Sequence, residues 1–150
     1  MLHRYQALFA SLQAHEVRYV MIGAMAGVTH GLARLTLDAD LLIDPTPENS
    51  TRLLAALADA GFGTAHDITP EELLRNEIVM FRDRVLLDVQ TRTPGLSFSE
   101  AWAHKESRDI NGTPFWVASL EDLIASKTAA GRPKDLEDVA VLKALAAAKK

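Results

Sequence analysis

Residues 34–45, RLTLDADLLIDP, carry the pattern that most restricts how this chain folds. Apolar and polar residues alternate from position 35 to position 41, which predicts a strand with one polar face. Asp38 and Asp40 fall on that face, because side chains two residues apart on a strand point the same way. Adjacent carboxylates repel each other, so a strand that continues into Leu41, Leu42 and Ile43 needs a reason to keep both acids.

Three explanations fit a pair of acids at this spacing. The first is a solvent-facing strand, on which carboxylates are simply hydrated. The second is a set of helix or turn caps, although the strand setting argues against it. The third is a divalent cation, which removes the repulsion; paired oxygen ligands suit Mg²⁺ or Mn²⁺.

A third acid favours the cation. Asp88 follows the apolar run Val85, Leu86 and Leu87, which predicts another strand. If the two strands are neighbours, Asp38, Asp40 and Asp88 converge. Three converging carboxylates are typical of two-metal phosphoryl-transfer sites.

The remaining segments predict an α+β fold. We expect one domain over residues 1–150, with a small mixed β-sheet flanked by helices and with helices at the C-terminal end. Periodicity and cap residues predict helices over 4–14, 24–31 and 47–60, the last of them capped by Thr46. Short helices are predicted after the cap Thr69 and near 97–105, and two C-terminal helices are predicted, one capped by Ser119 and one starting near Pro133. Strands are predicted over 17–23, 34–44, 77–81 and 84–90, with a tight turn around Arg82 and Asp83 between the last two. A further hairpin is predicted to turn at Asn111 and Gly112.

The composition excludes several classes of protein. The formal net charge is −4, so a broad attraction to nucleic acid is not expected, although a local basic patch would still hold a tRNA end. The chain has no cysteine, which excludes disulfides, thiolate-bound zinc and a cysteine nucleophile. No apolar run approaches the roughly 20 residues that span a bilayer, and we expect a cytoplasmic protein without a membrane partner.

Two motifs together resemble a known superfamily. The stretch YVMIGAMAGVTHGLARLTLDADLLI is similar to the core of the nucleotidyltransferases of the DNA polymerase β-like fold, in which a strand, a glycine and a helix precede a D-x-D strand. Within that superfamily, the chain resembles the small bacterial minimal and AbiEii-like group linked to toxin–antitoxin systems. That group shows R-x-T-x-D-x-D and a terminal K…GR-x-K-D-x-x-D, here carried by Arg34, Thr36, Asp38, Asp40, Lys127, Gly131, Arg132, Lys134, Asp135 and Asp138.

The resemblance implies roles for individual residues. Asp38 and Asp40 would be metal ligands, and Asp88 would be both a ligand and the general base. Gly23 would let backbone N–H groups approach a triphosphate at the start of a helix. Arg34 and Lys127 would contact phosphate, and Lys127 is the better candidate because its helical position predicts an inward side chain. The cofactor would be Mg²⁺ or Mn²⁺, with a nucleoside triphosphate as substrate.

One position departs from the family pattern. Ala24 stands where the family has glycine or serine; alanine keeps its N–H, but its Cβ crowds a phosphate. The chain is therefore expected to be either a nucleotidyltransferase acting on a hydroxyl of RNA, a protein or a small molecule, or a weakened relative. Such a relative would act by binding, for example to a cognate toxin or antitoxin. A nucleotide-binding domain without transfer activity is the third interpretation.

Simpler roles are also open for the charged residues. Arg34 would neutralise Asp38 or Asp40, and Lys127 would lie on a solvated helix face. Asp135 and Asp138 fit the first turns of a helix, where the macrodipole favours acids. We expect His30 to end a helix and to form a hydrogen bond there, not to act in catalysis.

Overall fold

A computed structural model describes residues 2–149 of the chain. Within this range the α-helices are α1 (Gln6–Ala14), α2 (Gly23–Thr29), α3 (Pro47–Asp59), α4 (Pro70–Arg75), α5 (Phe98–His104), α6 (Leu120–Ala130) and α7 (Pro133–Ala148). The strands are β1 (Tyr19–Ile22), β2 (Asp38–Ile43), β3 (Ile78–Arg82), β4 (Leu86–Gln90), β5 (Glu106–Ile110) and β6 (Thr113–Val117). Single 3-10 turns span Leu2–Tyr5 and Gly63–Asp67.

Local sequence signals set the ends of several of these elements. The side chains of Thr46, Thr69 and Ser119 each accept a hydrogen bond from a backbone N–H in the first turn of the following helix. Asn111 and Gly112 both adopt positive φ, as a tight hairpin turn requires, and join β5 to β6. These predicted caps and the predicted turn are confirmed.

The six strands form one mixed sheet in the order β3-β4-β2-β1-β6-β5. β2 runs parallel to β4, and β1 runs parallel to β6. The other three pairings are antiparallel. The α+β class, the mixed sheet and the C-terminal helices are thus as predicted.

The two faces of the central strands differ in polarity. Ala39, Leu41, Leu87 and Val89 are fully buried in the core, which includes side chains from α1 and α3. Side chains at the alternate positions, Asp38, Asp40, Asp88 and Gln90, point to the other face. α2 packs on β1 and β2 and also contacts α6, which in turn packs against α7.

The second strand is shorter than its alternation predicts. β2 starts at Asp38, and residues 34–37 have no strand partner, so the prediction of a strand from residue 34 is wrong there. Leu35 and Leu37 are both exposed. The carbonyl oxygen of Leu37 accepts a hydrogen bond from the Tyr5 hydroxyl, at 2.8 Å, and the pairing of β2 with β4 starts only at the next residue.

His30 ends α2 as expected. Its Nε2 lies 2.8 Å from the carbonyl oxygen of Ala118, and the ring is buried. Burial lowers the pKa of His30. In residues 2–149, no helix is both long enough and apolar enough to cross a bilayer.

Candidate functional site

The two predicted acidic strands are neighbours. In the parallel pairing of β2 with β4, Asp40 lies directly opposite Asp88. Paired strands are about 4.8 Å apart, so the two carboxylates project side by side from one face of the sheet. Asp38 is the first residue of β2, two positions before Asp40; it pairs with Leu86 and projects from the same face.

Asp40 is held in an unfavourable environment for a charge. Burial, followed by the charges of Asp88 and Asp38, raises the pKa of Asp40 to about 7. Gln90 offsets a little of this, because its Nε2 donates a hydrogen bond to Asp40 Oδ1 at 3.3 Å. The sheet thus keeps a carboxyl group where its ionisation is opposed.

Gly23 places the chain directly against Asp40. β1 ends at Ile22, which is opposite Asp40 in the sheet, and α2 begins at the next residue. A Cβ added at Gly23 would stand only 2.3 Å from Asp40 Oδ2, and the glycine φ is +76°. Both the close approach and the left-handed backbone therefore require glycine here.

A cleft of about 400 Å³ opens beside these groups. Its lining includes Gly23, Asp40, Asp88, Gln90, Lys127 and Arg132. It thus joins four of the predicted site residues, although they come from four separate elements. The acids stand beside two cations in one concave surface.

Lys127 is buried on the inner side of α6, as its position predicts. Its Nζ donates to Asp138 Oδ2 at 2.9 Å and lies 3.9 Å from Asp135 Oδ1. The solvated-face interpretation of Lys127 is therefore wrong. Its positive charge also reaches the acids, since it lowers the pKa of Asp40 against the effects of burial and of Asp88.

Arg132 and Asp135 complete the cationic side of the cleft. Arg132 Nε donates to Asp135 Oδ2 at 2.6 Å. Burial would raise the pKa of Asp135, but the Arg132 hydrogen bond and the charges of Arg132 and Lys127 outweigh it and lower the pKa. Asp135 thus stays ionised and holds Arg132 at the mouth of the cleft.

Three predicted residues lie outside the lining of the cleft. Arg34 bonds Asp138, not Asp38 or Asp40, so the expected pairing with the D-x-D acids is wrong. Ala24 lies in the first turn of α2, half-buried beside Gly23. Asp38 is half-buried on the acidic face and contributes its charge to Asp40 without lining the cleft.

The donor set matches a hard divalent cation in chemistry. The site offers carboxylate oxygens on adjacent strands, and burial together with the charge of Asp88 already raises the pKa of Asp40. In residues 2–149, however, no three acidic or histidine side chains are grouped so as to ligate one ion. Asp88 is instead bonded to Arg82, whose Nη1 lies 2.9 Å from Asp88 Oδ1.

Sequence reasoning missed two residues that touch the acids. Gln90 is two positions after Asp88, so strand alternation alone places it on the same face. Arg82 lies across the tight turn that joins β3 to β4, and Met80, two positions before it, pairs with Asp88. One signal for Arg82 is present in the sequence, namely a positively charged residue at the predicted turn before the strand that carries Asp88.

Another cleft, of about 360 Å³, lies at the start of β1 and away from the acids. Trp102 and Trp116 line it with Arg18. Arg18 is stacked 4.5 Å above the Trp102 ring and bonded to Asp44, so its charge is already engaged within the fold. The acidic cleft is therefore the better candidate for chemistry.

The acids on adjacent strands, the glycine that opens α2 and the mixed sheet define a nucleotidyltransferase-like fold. A family model described as "Nucleotidyltransferase of unknown function (DUF6036)" matches residues 3–146. The chain belongs to this family. Comparison with curated proteins gives no match.

Proposed function

We propose that the protein is a metal-dependent nucleotidyltransferase that moves a nucleoside monophosphate from a nucleoside triphosphate to an acceptor hydroxyl. The observation that carries this proposal is the register pair Asp40 and Asp88 beside Gly23 and Lys127 in one cleft. Within the family, the R-x-T-x-D-x-D and K…GR-x-K-D-x-x-D motifs favour the minimal and AbiEii-like group.

The residues divide the cleft into two sides. Gly23 at the start of α2 and Lys127 would hold the triphosphate on one side. Arg132 lines the same cleft and would add a third phosphate contact. Arg34 would act indirectly, because it bonds Asp138, which in turn bonds Lys127. Ala24 keeps its backbone N–H on this side. Asp40 and Asp88 would hold Mg²⁺ or Mn²⁺ together with oxygens of the nucleotide, and Asp38 would supply a further carboxylate from the same face of β2. The ion would neutralise charge on the phosphates and on the attacking oxygen.

Asp88 is the proposed general base. It would accept the proton of the acceptor hydroxyl while the acceptor oxygen forms a bond to the α-phosphorus. The bond from the α-phosphorus to the bridging oxygen breaks, and pyrophosphate leaves with that electron pair. The acceptor would approach from the β3 side, where Ile78 and Met80 are exposed next to Asp88.

Transfer of an α-³²P label to an acceptor tests this proposal directly. The protein is incubated with each α-³²P nucleoside triphosphate, with Mg²⁺ or Mn²⁺, and with total RNA or total protein as acceptor. We expect wild type to transfer label to at least one acceptor. Transfer should be at least about 100-fold slower in Asp88→Asn, because this change removes the proposed general base and a proposed metal ligand together. Asp83→Asn, which removes an acid from the neighbouring turn, is the matched control. Equal transfer by both variants would contradict the proposal.

A second candidate function rests on exposed apolar side chains. Leu35, Leu37, Ile78 and Met80 are all largely exposed, and Ala24 departs from the family pattern. Grouped exposed apolar side chains are typical of surfaces that bind partners, and here they occur as two pairs two residues apart, Leu35 with Leu37 and Ile78 with Met80. A regulatory component of a toxin–antitoxin pair would use them to bind its cognate protein. Sedimentation with a candidate partner, for wild type and for Met80→Asp, distinguishes this function from catalysis by the protein alone.

A further inference from the structure

Arg82 is bonded to the acid that the proposed mechanism uses as its base. Arg82 ends β3, and its Nη1 donates to Asp88 Oδ1 at 2.9 Å. The Arg82 side chain is 43% exposed, whereas that of Asp88 is 19% exposed. Among the described residues, Arg82 is the one whose side chain donates a hydrogen bond to the Asp88 carboxylate.

The other cations of the site are committed elsewhere. Lys127 is bonded to Asp138, and Arg132 is bonded to Asp135. Asp40 receives its side-chain hydrogen bond from the neutral Gln90. Arg82 is therefore the cation in direct contact with the pair formed by Asp40 and Asp88.

This contact is of little use to the fold. Because the Arg82 side chain is 43% exposed, solvent screens its attraction to Asp88, and holding this long side chain in one position costs conformational freedom. Arg82 also lies at the end of an edge strand, next to the turn that leads into β4. Its guanidinium can leave Asp88 by rotating into solvent, without any change in the backbone.

We propose that Arg82 is an internal counter-ion of Asp88 that a divalent cation must displace. The inference rests on the proposed function, since it concerns the same carboxylate. Arg82 and the cation compete for Asp88, so Arg82 weakens the binding of the cation to the acids. Arg82 is thus a positioning residue, and it changes the affinity of the acids for the divalent cation.

The order of the strands also determines on which side of the acids the displaced Arg82 guanidinium lies. The order of strands sets Arg82 on β3, beyond Asp88 on β4, whereas Gly23 follows β1 on the other side of Asp40. The displaced Arg82 therefore stays on the acceptor side of the acids, beside the exposed Met80. The triphosphate side is unchanged by the exchange.

Mn²⁺ binding, measured by the electron paramagnetic resonance signal of the free ion, tests this inference without any turnover. The proteins are wild type, Arg82→Gln, Arg84→Gln and Asp88→Asn. Arg84→Gln removes the same charge from the same turn, so it reports the general electrostatic effect. We expect Arg82→Gln to bind Mn²⁺ about two- to fivefold more tightly than Arg84→Gln, which corresponds to an exposed pair of up to about 1 kcal/mol. Asp88→Asn should bind more weakly than either.

A magnetic resonance measurement gives a second, structural readout. The Nε–H signal of Arg82, assigned by its absence in Arg82→Lys, should shift when Mg²⁺ is added to wild type. The Arg84 signal should not move. A fixed Arg82 signal at a Mg²⁺ concentration that saturates the site would overturn the inference.

The two proposals fail in different ways. Equal Mn²⁺ affinity in Arg82→Gln and Arg84→Gln, with Asp88→Asn weaker, would overturn the role of Arg82 and leave the metal site in place. No Mn²⁺ binding by wild type or by Arg82→Gln would overturn both the role of Arg82 and the proposed metal dependence.

Discussion

Asp40 is a carboxyl group that the fold surrounds with buried atoms and with two further acids. Its folded pKa is raised to about 7, above the ordinary value of 3.8. A raised acid pKa means that the folded protein prefers the protonated form. The resulting stability is present below about pH 4, is lost as the pH rises toward 7, and stays lost above it.

Asp40→Asn should therefore stabilise the protein in EDTA at pH 8. The expected gain in free energy of unfolding is about 2–4 kcal/mol, because the amide carries no charge to bury and still accepts the hydrogen bond from Gln90. Urea unfolding at pH 4 and at pH 8 measures it, and the gain should be much smaller at pH 4. Asp67→Asn, an exposed acid, is the control and should change stability by less than about 0.5 kcal/mol. A destabilised Asp40→Asn at pH 8 would contradict this account of the acid.

Gly23 is required for two separate reasons, and a second glycine separates them. Gly61 also has a positive φ, of +97°, but an added Cβ there would meet no atom within 4 Å. Gly61→Ala should therefore show the backbone strain alone, about 1 kcal/mol. Gly23→Ala adds the clash with Asp40 and should lose about 2–4 kcal/mol in urea unfolding. Equal losses in the two variants would mean that the contact between Gly23 and Asp40 is not close.

At the scale of elements, α7 is attached to the rest of the fold by buried charges. Asp138 accepts hydrogen bonds from Lys127 on α6 and from Arg34 in the segment before β2. A buried ion pair adds little to stability while it is complete, but removing one partner leaves the others uncompensated. The helix is thus positioned by a network that also keeps Lys127 at the cleft.

Asp138→Asn should destabilise the protein by about 2–4 kcal/mol, since Lys127 stays buried with a weaker partner. Urea unfolding checks this value. Glu137→Gln removes the neighbouring exposed acid of α7 and should have little effect. If the two variants unfold at the same urea concentration, the network does not hold α7.

For the whole molecule, local signals predicted elements and their ends better than partners. Thr46, Thr69 and Ser119 cap helices because a hydroxyl and a nearby N–H are close in sequence. The acids on β2 and β4 suggest only that these two strands could be neighbours. Their parallel direction and the order of the remaining strands depend on long-range packing that no short pattern encodes. Arg34 shows the limit, because its partner Asp138 is 104 positions away.

For the candidate site too, residues in local motifs could be predicted from the sequence, and long-range contacts could not. Gly23, Asp40, Asp88 and Lys127 meet in the cleft. Gly23, Asp40 and Lys127 lie in motifs that the sequence displays, whereas Asp88 is assigned from the apolar strand run before it. Arg82 and Gln90 carry no motif, and their contacts with the acids follow from strand register, which only the folded sheet defines.

Metal-dependent nucleotide binding is the most direct test of the central proposal. Thermal unfolding is followed for wild type, Asp40→Asn and Asp67→Asn, each with and without Mg²⁺ and each nucleoside triphosphate. A ligand at about 100 times its dissociation constant stabilises by about 2.7 kcal/mol, which raises the midpoint of a chain of this size by roughly 5–10 °C.

We expect such a rise in wild type and in Asp67→Asn with at least one triphosphate, only when Mg²⁺ is also present. Asp40→Asn should start from a higher midpoint at pH 8 and gain nothing from the ligands. No rise in wild type with any triphosphate and metal, or an equal rise in Asp40→Asn, would contradict the assignment of this cleft as a metal–nucleotide site.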